Sequence, residues 1–133
     1  MKLIICGSRT ITDETEIKRL IDKGLAELKV NKVHIDEVVS GGAKGPDIVG
    51  EIWAKENSIP VKQLLPDWSL GKRAGPLRNI EMCEYAGKDG ILICIHDGES
   101  KGCLQCYNYA VNAGIKSIKY VVPNTQASTE KLS

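Results

Sequence analysis

Apolar residues along this chain follow two alternating rhythms. Short apolar runs at Leu3–Cys6, Glu37–Ser40, Pro60–Leu65, Gly90–Ile95 and Ser117–Val122 suit strands. Between them the spacing turns helical. Asp13–Lys29 places Ile17, Leu20, Ile21, Leu25 and Leu28 on one stripe, with Asp13 and Glu16 spaced as a capping box. Gly45–Glu56 is predicted as a second helix with Ile48, Val49, Ile52 and Trp53 toward the core. A third helix starts near Pro76 and stops near Ala86-Gly87, and a fourth covers Cys103–Ala113 before Gly114.

Strands alternating with helices imply right-handed crossovers and a parallel sheet. The expectation is an α/β three-layer sandwich with a five-stranded parallel sheet in flavodoxin-like strand order. One domain is expected over residues 1–122. A polar tail follows at 123–133, where apolar periodicity stops. Lys119 marks the fifth strand as an edge.

Composition narrows the class. With 133 residues, 42% hydrophobic and 26% charged, the chain can bury a core and is not a disordered segment. It has no Phe, so the core rests on Ile, Val, Leu and Ala. A net charge of +1 argues against a duplex-DNA binder and makes nucleic acid a poor candidate partner. No apolar run is long enough to span a bilayer, so no membrane partner is expected. Met1–Cys6 is too short for a signal peptide. Five cysteines without disulfide spacing point to reduced thiols and a cytoplasmic location.

The chemistry gathers where strands end. In a parallel sheet of this kind, ligands sit beyond the carboxyl ends of the strands. Four segments fall there: Gly7-Ser8-Arg9-Thr10; Ser40 to Asp47; Asp67-Trp68 followed by Gly71 to Asn79; and His96 to Cys103. Gly41, Gly42 and Gly45 let backbone amides approach an anion at a helix start, and Gly98 and Gly102 repeat the arrangement. Arg9, Lys44, Arg73 and Arg78 are cationic donors, and arginine grips phosphate with paired hydrogen bonds. Asp47 and Asp97 suit ribose hydroxyls or a base edge, and Trp68 suits a stacked base. The second segment lacks the Gly-Lys-Ser/Thr ending of an ATPase loop, and the first is not a dinucleotide fingerprint.

Gly7-Ser8-Arg9, Ser40-Gly41-Gly42-Ala43-Lys44-Gly45-Pro46-Asp47 and Ala74-Gly75-Pro76-Leu77-Arg78-Asn79 resemble the YspA-like (DUF2493) branch of the SLOG superfamily. The superfamily also includes cytokinin-activating LOG proteins and the DNA-processing protein A fold. The resemblance covers nearly the whole chain before the tail. It implies a Rossmann-like fold and a site for nucleotides or nucleotide-derived ligands. It implies that Gly7, Ser8, Arg9, Gly41, Gly42, Asp47, Arg78 and Asn79 line the pocket, with Asp97 to Gly102 as the fourth loop. Related enzymes carry Thr and a catalytic Glu where this chain has Cys103 and Cys106. That departure weakens hydrolysis and leaves backbone phosphate binding intact.

The expected ligand-binding set is therefore Gly7, Ser8, Arg9, Gly41, Gly42, Lys44, Gly45, Asp47, Trp68, Arg78, Asn79, Asp97, Gly98, Ser100, Gly102 and Cys103. The expected function is binding of a nucleotide-like small molecule, as a sensor or sequestering protein in settings such as phage–host conflict. No cofactor or metal is expected, and a homo-oligomer is plausible for so small a fold. One alternative is an N-glycosidase acting on nucleoside monophosphates, with Asp97 and Glu99 as leading carboxylates and Asp47 behind them. Another is single-stranded nucleic-acid binding along Lys72, Arg73, Arg78 and Trp68. The Cys103-x-x-Cys106 spacing admits redox chemistry or, with Cys83 and His96, a zinc site, but packing in the core is favoured. Among the other residues, Cys6, Cys94 and Trp53 read as core and His34 as solvated.

Overall fold

Five parallel strands form the sheet: β1 (Lys2–Gly7), β2 (Glu37–Ser40), β3 (Val61–Gln63), β4 (Ile91–His96) and β5 (Lys116–Val121). They come from a computed structural model that describes residues 1–122. The expected tail at 123–133 lies outside the described residues. Four helices alternate with the strands: α1 (Glu14–Glu27), α2 (Pro46–Glu56), α3 (Ala74–Ala86) and α4 (Lys101–Asn112). The architecture is an α/β Rossmann-like sandwich with two helices on each face.

The sheet order is β3-β2-β1-β4-β5. This corrects the flavodoxin-like expectation, which would insert β3 between β1 and β4. The reason is polarity. A central strand is covered on both faces and reads as continuously apolar. β3 has only three residues, with Lys62 and Gln63 exposed, so it fits at an edge. β1 and β4 are nearly or wholly buried and pair directly, Leu3 to Gly7 against Ile91 to Ile95. The strand order reverses between them, which opens a crevice beyond their carboxyl ends. β5 is the other edge, as Lys119 suggested.

One face packs α1 and α2 on the sheet through Ile17, Leu20, Ile21, Val49 and Trp53, over Leu3, Ile5, Val38 and Ile93. Each such fully buried side chain contributes about 1.5–3 kcal/mol. Asp13 caps α1 by accepting from the Glu16 N–H at 3.2 Å. The Glu16 carboxylate turns to Arg19 instead, so only half of the capping box forms. In α2, Ile48 is exposed and Ile52 half-buried, contrary to the expected stripe. Gly50 rotates the helix: a Cβ there would lie 2.9 Å from Ile5 Cγ2, so its bare backbone presses on β1. Trp53 is buried, and its indole N–H donates to Asp22 Oδ1 at 3.1 Å.

The other face packs α3 and α4 over Ile4, Val39 and Leu92. All five cysteines lie in this layer, free and buried. α4 begins at Lys101, ahead of the expected Cys103. Among the described residues no helix is long and apolar enough to cross a membrane.

Candidate functional site

A cleft of about 780 Å³ opens beyond the carboxyl ends of the strands, where the sheet order reverses. All four sequence-predicted segments contribute. Gly7, Ser8 and Arg9 come from the β1 end; Gly41, Gly42 and Lys44 from the β2–α2 connection, and Asp47 from the first turn of α2. Trp68, Arg78 and Asn79 come from the β3–α3 connection and the first turns of α3, and Ser100, Gly102 and Cys103 from the start of α4. That volume lies within the range of small-molecule sites.

Arg78 is fixed from two sides. Its Nη1 donates to the Gly41 carbonyl at 2.7 Å and its Nε to Asn79 Oδ1 at 3.0 Å. Asn79 is itself buried, and its amide donates to the Gly102 carbonyl at 3.2 Å and Gln105 Oε1 at 2.8 Å. The β2–α2 loop, α3 and the start of α4 are thereby tied through one Arg-Asn pair. Arginine has five N–H donors, so further donors remain for a guest. Gly41 is required for this arrangement: a Cβ there would sit 2.5 Å from Arg78 Nη1. The chain turns next at Gly42, whose φ of 72° favours glycine. Ser40 Oγ accepts from the Gly42 N–H at 3.0 Å and donates to Glu51 at 2.7 Å.

Asp47 lies in the cleft lining yet is 4% exposed. Its Oδ2 accepts from the Ala43 N–H at 3.4 Å, and it makes no ion pair among the described residues. Burial pushes its pKa up to about 7, against the pull of the Ala43 N–H, the Arg78 charge and the Gly41 N–H.

Asp97 has a different place. It does not line the cleft; it closes the β4–α4 loop behind it. Oδ1 accepts from the Glu99 and Ser100 N–H groups at 2.8 and 2.7 Å. Oδ2 accepts from the Ser100 and Thr10 hydroxyls at 2.8 and 2.7 Å. Burial would raise its pKa, but these bonds outweigh it and hold the carboxyl well below the usual range. Its oxygens are already engaged, so it is poorly suited to general acid work. Glu99 is exposed and also outside the cleft lining, as is Gly98. Gly45 (φ 89°) lies behind the cleft, against the Ile11 and Ser8 carbonyls.

Ser8 is buried and joins the first and fourth segments. Its Oγ accepts from the Asp97 N–H at 2.9 Å and lies 3.5 Å from Cys103 Sγ. The Cys94 thiol and burial push the Cys103 thiol up. Buried His96 accepts from the Gly98 N–H at Nδ1, so its Nε2–H donates to the Ser100 carbonyl at 2.6 Å. It shapes the loop and is not presented to the cleft. Among the described residues no cluster of His, Cys, Asp and Glu is placed to hold a metal ion.

Of the helices that start at this rim, α2 and α4 have no side-chain cap at their N-termini, whereas α1 is capped by Asp13. α3 continues from a 3-10 turn over Trp68–Arg73, and its Ala74 N–H donates to the Gly71 carbonyl. Uncapped amides carry partial positive charge and suit an anion. Arg9, exposed at the lip, makes no side-chain hydrogen bond among the described residues. Trp68, 71% exposed, and Leu65 form an apolar edge beside this polar floor. Lys72 and Arg73 are exposed but outside the lining.

Cys6, Leu65, Pro66 and Met82 line the cleft from outside the predicted segments, and Ala43, Gly75, Pro76 and Lys101 line it from within those segments although outside the expected binding set. Leu65 was expected within β3, and shortening of that strand released it. Lys101 stands beside Gly102 and was legible from its neighbour. Nothing in the spacing marked Met82, which reaches the cleft only because α3 crosses β1.

The fold and site define an α/β protein with a rim cleft built from glycine-bearing loops and helix N-termini. A sequence profile of the YspA, cpYpsA-related SLOG family matches residues 1–71, and the chain belongs to that family. It is 34% identical over 125 residues to the Gene 61 protein of Mycobacterium phage D29, covering 90% of this chain and 95% of that protein. Among solved structures, it is similar to the X-ray structure of DNA processing protein A from Streptococcus pneumoniae. That match has 16% identity and a TM-score of 0.49, and it covers 97% of this chain but 60% of the other.

Proposed function

We propose that the chain binds a nucleotide or nucleotide-derived molecule in this cleft, as a sensor or sequestering protein rather than an enzyme. The observation that carries the reading is the convergence of the uncapped N-termini of α2 and α4 with Arg9 and the doubly anchored Arg78 on one cleft. Phosphate suits that floor, and Trp68 offers a face for a base. Membership of the SLOG family supports a nucleotide-type ligand. The test is mass spectrometry of small molecules released from the native protein, followed by thermal shifts with nucleotide and cyclic-nucleotide panels. A copurifying phosphorylated nucleoside is expected. Failure of every such compound to copurify or stabilise would overturn the reading.

A second reading, N-glycosidic hydrolysis, has one observation in its favour: the Asp47 carboxyl lies in the cleft lining and is poised near neutrality. It would appear as release of free base from nucleoside monophosphates, lost in Asp47→Asn.

A further inference from the structure

We propose that Asp47 makes anion binding proton-linked: the cleft takes up an anionic group with Asp47 as the neutral acid, and one proton enters with the ligand. The inference rests on the reading of the cleft as an anion site. Asp47 is a nearly buried carboxyl that shares the cleft lining with Arg9, Lys44, Arg78 and Lys101 but pairs with none of them.

The surroundings explain why. Arg78, the charged group facing it from α3, spends Nη1 and Nε on the Gly41 carbonyl and Asn79 Oδ1. From α4 it is faced by the Cys106 thiol, and from the β2–α2 connection by the Gly41 and Ala43 backbone. Ala43 gives Oδ2 a single long bond of 3.4 Å. No hydrogen bond to Oδ1 falls within normal geometry, and Asp47 is part of the cleft lining. An anion on the remaining Arg78 donors would stand beside it.

Two negative groups so close disfavour each other, and one resolves the conflict by holding a proton. The acid form also supplies an O–H donor to the guest. Burial already brings the carboxyl pKa to about 7, and a bound anion raises it further, by one unit for each tenfold of affinity lost with rising pH. If Asp47 instead accepted a ligand hydroxyl, binding would strengthen as it ionised. The pH dependence separates the two roles by sign.

Sulfate is the probe, because it stays doubly charged across the neutral range. Calorimetry on the full chain from about pH 6 to about pH 8.5 is expected to show affinity falling roughly tenfold per pH unit above about pH 7. The binding heat should depend on the buffer above about pH 7, with uptake rising from near zero at about pH 6 toward one proton per sulfate at about pH 8.5. Asp47→Asn should bind with a flat profile and no proton uptake. In the wild type, the Asp47 carboxyl carbon resonance should titrate near pH 7 and shift upward with sulfate, a readout that needs no variant. Wild-type binding that is flat or strengthens with pH would overturn the inference and leave the anion site standing. Absence of sulfate binding in both proteins at every pH would remove the anion site and the inference with it.

Discussion

The Arg78 guanidinium occupies the space that a side chain at position 41 would need. Nη1 donates to the Gly41 carbonyl at 2.7 Å, and a Cβ on that residue would lie 2.5 Å from the same nitrogen. A backbone without a side chain thus sets the position of the principal cation of the cleft.

Gly41→Ala should expel Arg78 from this seat. The fold should survive with a loss of about 1–3 kcal/mol from overpacking. Affinity for a phosphorylated ligand should fall roughly tenfold or more, because the guanidinium loses its orientation. Arg78→Lys should weaken binding similarly, since an ammonium cannot hold both Gly41 and Asn79 and still offer a paired grip. Urea unfolding beside ligand titration distinguishes lost orientation from lost fold. Wild-type affinity in Gly41→Ala would show that Arg78 is not the anion contact.

Asp97 should behave as a structural residue. Asp97→Ala removes the acceptor for two backbone N–H groups and two hydroxyls, at a cost of about 2 kcal/mol. The pH sign follows from its depressed pKa. Its contribution is present above the ordinary carboxylate range and is lost as acidification protonates the folded state. The stability gap between wild type and Asp97→Asn should therefore be full at neutral pH and shrink below about pH 4. Chemical denaturation at several pH values measures it. A gap that is constant with pH would mean that the charge on Asp97 does not matter.

These cases show what was legible in the sequence. The alternation of strand and helix was, because each element carries its own period. The gathering of glycine-bearing segments at one rim followed from parallel strands. The position of β3 did not follow, since strand order depends on which strands tolerate burial on both faces. Lys62 and Gln63 held that information, hidden within an otherwise apolar Pro60–Leu65 stretch. The roles of Asp47 and Asp97 were blurred for a related reason. Both are acidic residues in glycine-bearing loops, and only the donors around them separate a solvent-shielded carboxyl from a loop clasp.

Trp68 should matter to the ligand and not to the fold. It is 71% exposed beside the cleft, so Trp68→Ala should change stability by no more than about 0.5 kcal/mol. A base stacked on the indole would lose about 1–3 kcal/mol of binding. Quenching of indole fluorescence by the ligand reports the contact directly, with Trp53 serving as a buried internal reference. Unchanged affinity in Trp68→Ala would place the base elsewhere along the cleft.

Asp47 should carry a stability signature of its own, opposite in sign to that of Asp97. Its folded pKa is raised from 3.8 to about 7, so between those values the folded state holds a proton that the unfolded state releases. Stability should therefore decline as pH rises from about 4 to about 7 and level off beyond. The full difference is on the order of 4 kcal/mol as an upper limit, because water entering the cleft would soften it. Asp47→Asn keeps an acceptor for the Ala43 N–H and removes the buried charge. It should equal the wild type at low pH and exceed it above neutrality. Urea midpoints without ligand, at about pH 5 and about pH 8, read the difference. A variant less stable than wild type at the higher pH would show that the ionised carboxylate is supported by its surroundings, and that burial is not the dominant influence on it.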